Sequence, residues 1–166
     1  MGLISIHGDH PLKDGRQSER ALAVRRGMQR LLADMRHVSL PELSLPTGRR
    51  ADLVTISDKG EIWIIEIKSS IEDFRADHKW SDYRAHCDRL FFATLKDVPA
   101  EIFPEECGLF LSDSYGAEMI REAPEHRLPP ATRKSMTLNF SRIAATRLMH
   151  AEWASVTLGL ENPNRD

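Results

Sequence analysis

Cysteine is scarce in this chain: Cys87 and Cys107 are the only two in 166 residues, and neither belongs to a C-x-x-C pair. So few thiols exclude a disulfide framework and a cysteine-based zinc cluster, and they fit a reducing cytoplasm. Both are expected to be buried as small hydrophobes. Long apolar runs are missing as well, and nothing approaches the length of a membrane span. The opening MGLISI is too short for a signal-peptide core and has no basic leader, so a cytoplasmic protein is expected. There is no Gly-rich phosphate loop, no G-x-S-x-G elbow and no zinc-spaced Cys/His set. Repeats and low-complexity tracts are absent too. His7-Gly8-Asp9-His10 is a weak metal candidate, because a loose chain start offers no second shell to orient the ligands.

A large excess of charge is also missing, since the net value is −2. The distribution is more informative than the total. Arg16 to Arg50 holds eight arginines against three acids, and Arg127 to Ala151 holds five Lys/Arg and no acid. Between them, Asp97 to Glu125 carries eight acids and Arg121 alone. A two-faced particle follows if these segments fold apart, with phosphate drawn to the basic face. The plainer alternative is a set of solvated helix faces.

The strongest local signal is RRADLVTISDKGEIWIIEIK, Arg49 to Lys68. Two β-branched runs flank Ser57-Asp58-Lys59-Gly60, and Gly at the last loop position suits the φ > 0 that a three-residue hairpin loop requires. With Ser57 facing Glu61, the register pairs Ile56 with Ile62, Thr55 with Trp63, Val54 with Ile64, Leu53 with Ile65, and Asp52 with Glu66. Opposed carboxylates destabilise a ladder. Alternation puts Lys68 on the face of Glu66, and the run IWII reads as a central strand covered on both faces. A divalent cation between the carboxylates would remove the repulsion, and hard oxygen ligands suit Mg²⁺. Solvated strand ends, with Arg50 and Lys68 as salt-bridge partners, would explain the same residues.

Asp, a hairpin and then Glu-x-Lys is the signature of the PD-(D/E)xK nuclease superfamily, standing here as Ala51-Asp52 followed by Glu66-Ile67-Lys68. The usual proline before the aspartate is Ala51, a position the metal does not need. More closely, RRADL with WIIEIKSSIEDFRADHKWSDYRAHCDRLFFA resembles the MmcB-type bacterial DNA repair proteins over about residues 20 to 150. That resemblance implies an α/β, restriction-endonuclease-like mixed sheet of about five strands flanked by helices. It implies a Mg²⁺-dependent DNA nuclease, with Mn²⁺ as a substitute. Asp52 and Glu66 would hold the metal with the Ile67 main-chain carbonyl, and Lys68 would complete the catalytic set. Glu19, Tyr83 and His86 are accessory candidates. The implied partners are DNA, a second copy of the chain and other DNA repair proteins, with no membrane. The protein would be nucleoid-associated when bound to DNA. A non-catalytic DNA-binding or scaffold module with the same fold is the alternative.

Around this centre the chain reads as a flexible arm over 1–17, a single nuclease-like domain over 18–158 and a frayed tail over 159–166. Ser18 caps a helix reaching about Arg36, with Val24, Met28, Leu31, Leu32 and Met35 inward and Arg25, Arg26 and Arg30 outward. Strands are expected at His37–Leu45, Arg89–Thr94, Gly108–Ser112 and Ala117–Glu122, the first with an edge position or a bulge at its start because of Pro41 and Pro46. One helix is expected from Asp73 or Asp77 to Cys87, with Asp88 near the cleft. The last helix, from Ala131 or Thr132, should turn Met136, Phe140, Ile143 and Leu148 inward and leave Arg133, Lys134, Arg142 and Arg147 outside. The expected DNA contacts are Arg25, Arg26, Arg30, Arg49, Arg50, Arg133, Lys134 and Arg142.

Overall fold

The computed structural model describes residues 18–160, with side chains to residue 156. The expected arm, including His7 to His10, and residues 161–166 of the expected tail lie outside the described residues. The Ser18 hydroxyl accepts from the Ala21 N–H and starts α1, Glu19–Asp34. Arg36, in the left-handed region at φ 61°, turns the chain out of the helix. Three strands follow in immediate succession: β1, His37–Ser44; β2, Arg50–Ser57; and β3, Ile62–Ile67. They form the expected antiparallel meander, with β1 at the sheet edge. Gly60 closes the β2–β3 loop at φ 79°, with its N–H donating to the Ser57 carbonyl.

A helical crossover then returns the chain to β4, Arg89–Thr94, which lies parallel to β3. The parallel order continues to β5, Gly108–Ser112, and the antiparallel β6, Ala117–Arg121, closes the far edge. Among the described residues the sheet thus has six strands in chain order, in line with the expected mixed sheet of about five. All six residues of β3 are buried, because both sheet faces are covered. Val24, Met28 and Leu32 of α1 pack on Leu53, Ile65, Phe91 and Phe110. On the other face, Met136 and Phe140 of α3, Pro130–Leu160, join Val54, Ile64, Leu90 and Phe92.

The crossover differs from expectation. Instead of one helix to Cys87 there are a short α2, Ile71–Ala76, and a 3-10 helix, Trp80–His86, split at Asp77. Asp77 is extended and its carboxylate accepts from the Lys79 N–H and from Lys68 Nζ. The aromatic spacing survives the break: Phe74 and Trp80 both stack edge-on to Phe92. Leu148 is a second correction, being 62% exposed rather than inward, because α3 keeps its core contacts in its first half. Cys87 and Cys107 are buried free thiols, as expected.

Candidate functional site

β3 pairs with β2 on one side and β4 on the other, and the two ladders end at different levels. The expected register against β2 holds from Ile56–Ile62 to Leu53–Ile65. Against β4 it continues through Glu66–Phe92 and Ile67–Ala93. One step beyond Leu53 the strands part, so the expected Asp52–Glu66 backbone pair does not form and side chains bridge the gap. The Asp52 N–H donates to Glu66 Oε1 at 3.2 Å, and the Ile67 N–H donates to Asp52 Oδ2 at 2.8 Å. Each carboxylate therefore holds the other's strand, and each keeps a second oxygen free of those bonds.

The fork opens into a cleft of about 560 Å³ lined by Asp52, Glu66, Ile67, Lys68 and Tyr83, with Glu42, Asp73 and Asp77 on its walls. The N-terminal turn of α1 forms part of the rim. Arg20 ties it down, donating from Nε to the Ser69 carbonyl at 3.1 Å and pairing with Asp97 at 2.7 Å. Glu66 is buried and Asp52 half-buried. Burial raises the Glu66 carboxyl well above the usual range, and the nearby Asp52 charge adds to the effect. Burial likewise pushes Asp52 up to about 6, against the Ile67 hydrogen bond and the Lys68 charge. This costly pair is not neutralised by direct contact with Lys68. The ammonium instead donates to Asp77 Oδ2 at 2.7 Å. Burial alone would lower the Lys68 pKa, but Asp77, with Glu66 and Asp52, raises it. Lys68 is a fixed cation at neutral pH.

Asp52, Glu66, Ile67, Lys68 and Tyr83 come together as expected from the sequence. Tyr83 donates to the Arg50 carbonyl at 3.0 Å, and burial beside Glu66 and Asp52 raises its pKa. Glu19 and His86 do not join them. Glu19 is exposed and His86 half-buried, and neither lines the cleft. Asp88 is fully buried away from it, held by Arg133.

Glu42, missed in the sequence, takes the third acidic position. Pro41 faces Leu53 and Leu43 faces Ala51, which sets Glu42 across from Asp52. Its φ of 54° is left-handed within a strand, a conformation that costs a side chain about 1–2 kcal/mol. Arg147 donates to the Pro41 and Glu42 carbonyls, and Arg50 pairs with the Glu42 carboxylate. Carrying the register argument from the β2–β3 hairpin on to β1 would have revealed Glu42. Asp77 had no comparable signal.

Half of the expected DNA contacts are buried or paired with acids of the chain itself. Arg25 is buried within the field of Glu42 and Asp52. Arg49 pairs with Asp82 at 2.7 Å and Arg50 with Glu42. Arg133 forks onto both oxygens of Asp88. Arg147, expected outside, is half-buried against β1. Arg26, Arg30, Lys134 and Arg142 are exposed as expected.

Among the described residues no group of three or more His, Cys, Asp or Glu side chains is arranged to hold a metal. Two carboxylates, Asp52 and Glu66, stand at the fork. That is consistent with Mg²⁺, which commonly takes one or two carboxylates and completes its octahedron with water and phosphate. Two carboxylates that burial and mutual repulsion both disfavour as anions fit such a cation.

A family model described as DNA repair protein MmcB-like matches residues 8–155. A solved structure, a protein of unknown function from Silicibacter pomeroyi, is 42% identical with a TM-score of 0.79. The match covers 82% of this chain and 93% of that one. No curated protein matches.

Proposed function

The chain belongs to the MmcB-like family of DNA repair proteins, and from that premise we propose that it is a metal-dependent deoxyribonuclease. The observation carrying this reading is the Asp52–Glu66 pair at the fork where the β2–β3 ladder ends, with Lys68 beside it anchored to Asp77. Burying two carboxylates side by side costs several kcal/mol, even with the Lys68 and Arg25 charges near them. The order Asp52, hairpin, Glu66-Ile67-Lys68 supports a place in the PD-(D/E)xK superfamily.

In this reading Asp52 and Glu66 would hold Mg²⁺, or Mn²⁺ in its place, with the Ile67 carbonyl as a further ligand. Such a cation would supply a water of lowered pKa and a polarised scissile phosphate. Lys68 stabilises charge developing on the phosphate. It does not act as a base, because Asp77 keeps it protonated. Tyr83 fixes the start of β2 through the Arg50 carbonyl and so positions Asp52.

The test is Mg²⁺ titration by calorimetry, paired with cleavage assays on plasmid, gapped and branched DNA. Asp52→Asn and Glu66→Gln should lose Mg²⁺ binding and cleavage. Asp52→Asn should also raise the Tm of the metal-free protein, because one buried like charge is gone. Lys68→Ala should keep Mg²⁺ binding and lose about 10²-fold in cleavage rate. Absence of both Mg²⁺ binding and cleavage in the wild type would leave a non-catalytic DNA-binding module as the family role.

A further inference from the structure

α3 is 31 residues long, about 46 Å at 1.5 Å per residue. Its inward side is occupied early. Met136 and Phe140 are buried, Ile143 and Ala144 pack against the same core, and Arg147 bonds to β1. The opposite side carries Leu138, Arg142, Ala145, Met149, Glu152 and Val156, each of them exposed. Their intervals alternate four, three, four, three and four, which is the heptad spacing of a coiled-coil seam. Leu148 and Trp153 flank this seam at 62% and 59% exposure. Leu138, Leu148, Met149, Trp153 and Val156 are large apolar side chains exposed on one helix, and such exposure marks an interaction site, here with Arg142 and Glu152 set among them.

We propose that this seam is the interface of a homodimer, with α3 packed antiparallel against α3 of a second copy. The charges select both partner and direction. Antiparallel pairing centred at the level of Arg147 brings Leu138 against Val156 of the second copy and Ala145 against Met149. The same register brings Arg142 against Glu152, twice by symmetry. Every layer is then apolar on apolar or cation on anion. A parallel pair would instead set Arg142 against Arg142 and Glu152 against Glu152. An isologous contact of this kind closes at two copies, because the same patch serves both. Arg147 faces the body in this arrangement, so pairing leaves its bonds to the cleft wall intact.

The interface is tested on the full chain by light scattering and sedimentation. The wild type should show twice the chain mass at micromolar concentration. Arg142→Glu or Glu152→Arg alone creates two like-charge layers and should raise the dimer Kd about tenfold or more. The double reversal R142E/E152R should restore the wild-type value, which a merely damaged helix would not do. For direction, the double variant Leu138→Cys with Val156→Cys should cross-link two chains on oxidation, and neither single variant should. Buried Cys87 and Cys107 do not compete. A monomer at all concentrations, including one whose seam is covered by its own residues 1–17, would overturn the proposal. Failure of the double reversal to restore pairing, or cross-linking by a single cysteine, would do so as well.

Discussion

Four hydrogen bonds end on the carboxylate of Asp88: from the N–H groups of Ile62 and Leu128, and from both arms of Arg133. Its own N–H donates to the Ile62 carbonyl, and its carbonyl accepts from His126. One residue thus joins the start of β3, the loop before α3 and the first turn of α3. Burial would raise its pKa, but the Arg133 bonds and the two backbone donors hold it below the usual value. A carboxyl with a depressed folded pKa contributes stability that is present above its unfolded pKa, about 3.9, and lost as pH falls through the folded one. Asp88→Asn should therefore cost about 3 kcal/mol at neutral pH, because Arg133 is left without its partner. Wild type and variant should converge in stability as pH falls below the unfolded pKa and through the depressed folded one. Urea denaturation at neutral and acid pH measures both. An equal difference at both pH values would mean that the carboxylate charge is not what Arg133 needs.

Among the elements, α1 depends on the closest backbone approach. A Cβ at Gly27 would stand 2.0 Å from the Asp113 carbonyl oxygen and 2.4 Å from that of Gly116. Ser112 Oγ, which donates to the Val24 carbonyl at 2.8 Å, fixes the helix at that height. Gly27→Ala should lift α1 from the β5–β6 turn at a cost of about 2–3 kcal/mol, a Tm fall of roughly 5–10 °C for a domain of this size. Gly116→Ala, where an added Cβ meets nothing within 4 Å, is the control and should melt close to wild type. The split between α2 and the 3-10 helix is also an element-scale matter. Its aromatic stripe has helical spacing, but Asp77 serves Lys68 and the Lys79 N–H instead of the helix. Periodicity reports what must be buried; it does not report that a tertiary ion pair will bend the backbone.

On the scale of the whole molecule, the basic N-terminal third divides between structure and surface. Arg20, Arg25, Arg49 and Arg50 are half-buried, buried or paired, whereas Arg26 and Arg30 remain exposed on α1. If DNA lies along this face, its affinity should fall with salt. The double variant Arg26→Glu with Arg30→Glu should weaken binding and reduce the log–log salt slope by about 1.8, or 0.9 per phosphate contact. Fluorescence anisotropy on duplex DNA over a salt series reads the slope. An unchanged slope would place DNA on another face.

The hairpin register, the edge position of β1, the α1 cap and the proximity of Asp52 to Glu66 were legible because each follows from local rules. Turn residues set φ, alternation sets faces, and β-strand pairing carries a register from one apolar match to the next. Long-range pairing followed no such rule. Arg133 looked like a solvated cation on a basic helix, and only the fold delivers Asp88, 45 positions away in sequence, to its guanidinium. Lys68 looked like a partner for the dyad until the bend at Asp77 claimed it. Sequence determined which residues alternate, cap and turn. Tertiary structure decided which charges meet, because an ion pair depends on distance in space and leaves no period in the chain.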